Sequence, residues 1–305
     1  MRQHCTQYTA VMVALVVACS TGQSSKKGTN TNKSGSTLGA SNSVGQPAVG
    51  TGGASNVIGS QSANQVSGNP PAVLVSWCSE ISGTKLVKIQ DHATQVANLC
   101  GTANAPTQLF SDLIAKAYTG TGRPNITGLG QIVSKDGQVS WSYASSLKLP
   151  ISAKSHFDLV GPRQGDKKIA EQGLVADGAQ NVTVSSTPII SNPDKGWSRG
   201  WDMTQDWSRN VVILQVVTSY SYQVNHFDFG RGLYLYAQTF KEGTSTVRNN
   251  ELISALFELN GGTYLTVVGD VAIDDLGFPA QAATGLMSDV EKNLLKVYEQ
   301  SKIAK

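Results

Sequence analysis

Only four cysteines occur in 305 residues, charged residues make up 15% of the chain, and no acid precedes Glu80. There is no Cys-x-x-Cys pair, no Gly-x-Ser-x-Gly elbow, no phosphate-binding glycine loop and no His-Glu-x-x-His helix. These absences remove the usual redox, serine-hydrolase, nucleotide and zinc-protease readings, because each chemistry needs its groups at a fixed spacing. The body's histidines, His92, His156 and His226, are scattered and never stand at i and i+4, so a zinc site has little to build on. Arg2, Lys26, Lys27 and Lys33 are four of the 24 basic residues, which leaves residues 72–305 with 20 against 21 acids. Without a clustered basic face, a nucleic-acid partner has no support.

The apolar run Ala10 to Ala18 is nine residues long. As a helix it reaches roughly 14 Å, about half of a bilayer core, so it does not cross a membrane. It fits the apolar core of a secretory signal, preceded by Arg2 and no acid. The four residues that end it, Val16-Val17-Ala18-Cys19, resemble the lipobox of bacterial lipoproteins. That resemblance implies a signal peptide over 1–18 and Cys19 as first mature residue, diacylglycerol on its sulfur and an acyl chain on its nitrogen. By the family's sorting rule, Ser20 rather than Asp at the next position implies the outer membrane. Plain secretion and an uncleaved anchor remain alternatives.

Residues 19–71 read as a disordered Ser/Gly/Asn-rich tether. From Ser20 to Pro71 there is neither an aromatic residue nor an acid, too little apolar surface to offset the entropy of ordering. Such a tether reaches about 40 Å. With Cys5 lost in the signal and Cys19 lipidated, Cys78 and Cys100 remain. An even pair in an exported protein reads as a disulfide.

Residues 72–305 read as a single α+β domain. Trp77 to Cys100 is expected to be a polar loop or hairpin stapled at its ends. Asn104 to Tyr118 shows an amphipathic helix, with Phe110, Leu113, Ile114 and Ala117 on one face. Strands then follow to about 275. Ser134-Lys135-Asp136-Gly137 marks a hairpin, with Val139, Trp141 and Tyr143 alternating behind it. Val182 and Val184 mark a short strand, Val211 to Val224 one long strand, and Leu233 to Phe240 another. Asn260-Gly261-Gly262 joins Leu252–Leu259 to Thr263–Ile273, although Glu251 to Leu259 also fits a short helix. The stripe Val290, Leu294, Val297 and Tyr298 places a long helix from about 279 to 301.

The predicted fold is therefore an antiparallel sheet with a preceding helix and a long C-terminal helix. It resembles the helix-grip fold of the START and Bet v 1-like superfamily, in which a curved sheet wraps the last helix around a cavity. Ala105 to Phe110 is similar to that superfamily's helix after the first strand; Asn260 to Leu265, the following strand, Gly277-Phe278-Pro279 and the final helix carry the rest, over about residues 85–305. The resemblance implies a cavity for a hydrophobic small molecule, with Trp201, Tyr220, Tyr222 and Tyr236 as candidate wall residues and no cofactor or metal. The alternative is a surface module that grips an envelope protein or a glycan through Gly196 to Arg209, where Trp197, Trp201 and Trp207 alternate with Arg199 and Arg209. Packing of those tryptophans onto the sheet is the simpler expectation. An enzyme ranks third. Ser145 and Lys148 match Ser-x-x-Lys but stand in a strand, where i and i+3 face opposite ways. His226, Asp228, Asp270, Asp274 and Asp275 fit no base or cation spacing.

Overall fold

A computed structural model describes residues 70–83, 92–101, 104–189, 198–211, 214–245, 247–275 and 279–304. The expected signal, Cys19, nearly all of the tether and Trp197 lie outside them. Three helices come first: α1 (Ala72–Gly83), α2 (Ala93–Cys100) and α3 (Gln108–Ala115). The expected loop from Trp77 to Cys100 is thus corrected to helix at both ends. Leu74, Trp77, Cys78 and Ile81 form an i, i+3, i+4, i+7 stripe, all buried, which is cut when the segment is read from Trp77 onward. The hydroxyl of Thr107 caps α3 by accepting from the Phe110 amide at 3.2 Å.

Cys78 and Cys100 are joined, tying α1 to the end of α2. Their separation of 22 residues implies about 3 kcal/mol of stabilisation on the chain-entropy account. The double variant C78S/C100S should therefore shift the urea unfolding free energy down by about that amount. An unchanged midpoint would mean that packing alone holds these helices.

Two strands follow, β1 (Ile126–Lys135) and β2 (Gln138–Leu149), around Asp136-Gly137 at φ 53° and 74°. Both central residues with positive φ make the turn whose twist matches paired strands. The chain then turns helical, against expectation. It runs through α4 (Ala153–Ser155), a π turn (His156–Val160), a 3-10 turn (Gly161–Gly165) and α5 (Lys167–Ala176). Pieces this short show no apolar period, but their caps are visible: Ser152 accepts from the Ser155 amide and Asp166 from that of Ile169.

Six strands complete the sheet: β3 (Gln180–Ile189), β4 (Arg199–Val211), β5 (Leu214–Asp228), β6 (Tyr234–Ser245), β7 (Val247–Leu259) and β8 (Gly262–Asp274), before α6 (Pro279–Ile303). The single long strand expected from Val211 to Val224 is two strands, with Val211 paired to Leu214. Residues 199–209 of the tryptophan segment lie in β4. Residues 251–259 are strand rather than helix, and Asn260-Gly261, at φ 50° and 71°, turns β7 into β8. The sheet order is β1-β2-β8-β7-β6-β5-β4-β3, antiparallel throughout.

Period-2 alternation divides the core between two faces. Val139, Trp141, Tyr143 and Leu147 of β2, with Leu265, Val267 and Val271 of β8, face inward against Val290, Leu294, Val297 and Tyr298 of α6. Ala144, Val268, Ile253, Ala255 and Phe257 face outward against Leu74, Trp77, Leu99, Phe110 and Leu113 of the first three helices. The central strands β2, β8, β7 and β6 are thus covered on both sides, which is why β7 and β8 read as nearly continuous apolar runs. The long final helix lies on the inner face, where the helix-grip arrangement places it. The helix at Ala105 to Phe110, by contrast, precedes every strand and lies on the other side. The helical segment after the first long strand is 153–176.

Candidate functional site

Arg199, His226 and Tyr236 face inward in one row, because Arg199 pairs with His226 across β4 and β5 and His226 with Tyr236 across β5 and β6. The turns of residues 153–165 lay His156, Phe157 and Gln164 on this row. Two glycines permit the approach. A Cβ on Gly165 would stand 2.2 Å from the Trp201 indole, and one on Gly161 would stand 2.9 Å from an Arg199 guanidinium nitrogen and 3.3 Å from the Tyr236 hydroxyl. His156, His226 and Tyr236 are almost fully buried.

The hydrogen bonds assign one tautomer. Arg199 Nε donates to His226 Nδ1 at 2.9 Å, so the proton of His226 sits on Nε2, which donates to Gln164 Oε1 at 2.7 Å. Arg199 also donates to the Phe157 carbonyl and lies over the Phe157 ring, 4.3 Å from its centroid. His156 Nδ1 shares a 3.0 Å bond with the Tyr236 hydroxyl, while its Nε2 has no partner among the described residues. Burial pushes the His156 imidazole down to about 3. His226 is pushed well below its ordinary value by burial first and then by the Arg199 charge. Burial raises the Tyr236 phenol, with Arg199 opposing. Near neutral pH the cluster thus holds two neutral imidazoles, a neutral phenol and one guanidinium.

Of the four expected wall residues, Trp201 and Tyr236 meet here, with the His226 ring 5.0 Å from Trp201 and 4.5 Å from Tyr236. Tyr220 and Tyr222 belong to a separate cluster with Met203 and Trp207. They stack at 5.5 Å, and both hydroxyls are occupied by Gln205, at 3.0 and 2.6 Å. Trp207 is buried and Trp201 half-buried, so both pack inward rather than forming an exposed platform. His156, Gln164, Arg199 and His226 were missed as a group. They come from strands and turns far apart in the chain, and only the inward parity of Arg199, Trp201 and Met203 in β4 hints at the set.

The remaining motifs disperse. Ser145 donates to the Asn125 carbonyl, and Lys148 lies 5.8 Å from the Tyr264 ring, without contact to Ser145. Asp274 holds Arg248 at 2.6 Å, whereas Asp270 lies under α2 and accepts from Gln95 at 2.6 Å. Among the described residues no three His, Cys, Asp or Glu side chains gather as a metal site, and no helix is long and apolar enough to cross a membrane.

A further set of polar atoms lies on the inner face nearer α6. Trp141 Nε1, Tyr143 Oη, Gln238 Oε1 and both amide atoms of Asn250 are buried without a partner among the described residues. Unlike His156 Nε2, which lies in the Arg199 row, they occupy the two adjacent inner rows that run from β2 across β8 and β7 to β6.

No family model and no curated protein matches the sequence. Solved structures align with about half of it. A protein of Thermus thermophilus shares 12% identity over 54% of this chain and 99% of its own, at a TM-score of 0.37. A START superfamily protein of Mycobacterium smegmatis shares 14% over 52% and 97%, at 0.32. A STAR-related lipid transfer protein of Xanthomonas axonopodis shares 9% over 59% and 99%, at 0.37. Scores this low carry nothing on function, and the architecture described above stands on the chain's own geometry.

Proposed function

We propose that this protein binds a hydrophobic small molecule between the inner face of its sheet and α6, and that it is held at the cell envelope by lipid on Cys19. One observation carries the binding reading. The inner face buries several polar atoms that the described residues leave unmatched, each of which costs about 1–3 kcal/mol if nothing meets it. They stand among apolar walls from Leu252, Val271 and Leu294. Apolar walls with a few placed polar groups are what small-molecule sites are made of. Trp201 and Tyr236 serve as wall residues at the His226 end, and Tyr220 and Tyr222 support the far strands. The alternative, a glycan or protein partner on a tryptophan platform, loses support because Trp207 is buried and Trp201 packs on Gly165.

Native mass spectrometry of the purified full-length chain tests the reading. Extra lipid-sized mass that disappears on organic extraction is the expected result, and bare protein from repeated preparations would count against it. The anchor is tested separately. Metabolic labelling with an alkyne fatty acid should tag the wild-type chain and not Cys19→Ser, which should also leave the membrane fraction. Equal labelling of both would reject lipidation at Cys19.

A further inference from the structure

We infer that the bound molecule is uncharged and carries a hydroxyl group, seated at Trp141, Tyr143, Gln238 and Asn250; this rests on the binding reading above. Strand register brings these residues together. Tyr143 pairs with Gly269, Gly269 with Leu252, and Leu252 with Gln238, which forms one inward row. Trp141 pairs with Val271 and Val271 with Asn250, which forms the next. Gly269 makes room for the phenol to lie across β8, since a Cβ there would stand 2.7 Å from the Tyr143 ring and hydroxyl. The hydroxyl is thereby carried over β8, which separates Tyr143 from the β7 residues. Gln238 Nε2 donates to the Asn250 carbonyl at 3.1 Å, which orients its Oε1 as a free acceptor beside the Asn250 amide.

The chemistry of the niche selects its occupant. Indole Nε1 only donates, the Gln238 oxygen only accepts, and the phenol and the Asn250 amide do both. A hydroxyl is the smallest group that accepts and donates in one place. From Trp141 to Ser145, and across their partners on β8, β7 and β6, every inner-facing side chain is uncharged. A carboxylate or phosphate desolvated here would meet no counter-charge. The cation in the neighbouring row, Arg199, is engaged by His226 and the Phe157 carbonyl. A plain hydrocarbon would leave the polar atoms as unmatched as before.

The test is competition for the neutral dye Nile red on the full-length protein at pH 7.5, with 1-dodecanol, dodecanoate and dodecane as matched twelve-carbon competitors. Dodecanol should displace the dye at about tenfold lower concentration than either of the others, the effect of roughly one extra good hydrogen bond. Tyr143→Phe and Asn250→Leu should each remove most of that preference while dodecane competes as before, and thermal melts of both variants check folding. Dodecanoate as the best competitor, or equal potency of dodecanol and dodecane, would overturn the assignment while leaving ligand binding intact. Equal potency would mean that ordinary water occupies the niche. If Nile red does not bind and no mass co-purifies, the binding reading itself fails, and this inference with it.

Discussion

Phe110→Ala should lower the unfolding free energy by about 3–5 kcal/mol, the usual cost of removing a large buried ring. Phe110 is fully buried at the centre of the outer layer. Its ring stands edge-on to Trp77 at 5.6 Å and to Phe257 at 5.8 Å, so it couples α1, α3 and β7 at once. Truncation removes both edge-to-face contacts, about 0.5–1.5 kcal/mol each beyond area burial. It also leaves a cavity between helices that have few other large rings to fill it. Urea unfolding followed by far-ultraviolet circular dichroism measures the loss. A loss under about 1 kcal/mol would mean that the outer helices contribute little to the sheet's stability.

Acidification from pH 7.5 to 5.0 should remove about 4 kcal/mol through His156 and His226. Both are lowered in the folded state, His156 to about 3 and His226 well below its ordinary value, whereas an unfolded histidine titrates near 6.5. Lowered basic groups favour unfolding once the unfolded chain takes up protons. Their contribution is therefore complete above pH 6.5 and is lost as pH falls through that value toward the folded one. At pH 5 the unfolded chain is protonated at both sites and the folded chain at neither, which gives about 2 kcal/mol for each histidine. Asp270 works in the opposite sense, because burial raises its carboxyl. Chemical denaturation at the two pH values checks the sum, and His156→Gln should recover roughly half of it. A wild-type loss of only about 2 kcal/mol would mean that water reaches one of the imidazoles in the folded protein, and a loss well under that would mean that it reaches both.

Local features were legible before any tertiary contact was known. Asp136-Gly137 and Asn260-Gly261 encode their turns in the backbone preferences of two residues each, and the stripe Val290, Leu294, Val297 and Tyr298 marks α6 without reference to the sheet. The pairing of Cys78 with Cys100 followed from the cysteine count and the expectation of export. Less was visible where period fails. The turns of 153–165 are too short for a stripe, and the apolar run Val211-Val212-Ile213-Leu214 carries no turn residue to mark the reversal between β4 and β5. The inward face of β4 was hidden because it includes Arg199 and Gln205, polar groups that its partner strands satisfy.

By itself, the sequence determined the α+β class, two hairpins, the final helix and the disulfide, since each depends on residues close in the chain or on a count. It also selected Tyr236 and Trp201 by residue type, though not their neighbours. Only the tertiary structure decided that Arg199, His226 and Tyr236 share a row, that Gly161 and Gly165 admit a turn onto it, and that Trp141, Tyr143, Gln238 and Asn250 stand in two adjacent rows of the inner face. The physical reason is strand register. A shift of one residue in any of these pairings would send the same side chains to the opposite face, and register is settled by the whole sheet packing between its two helical layers.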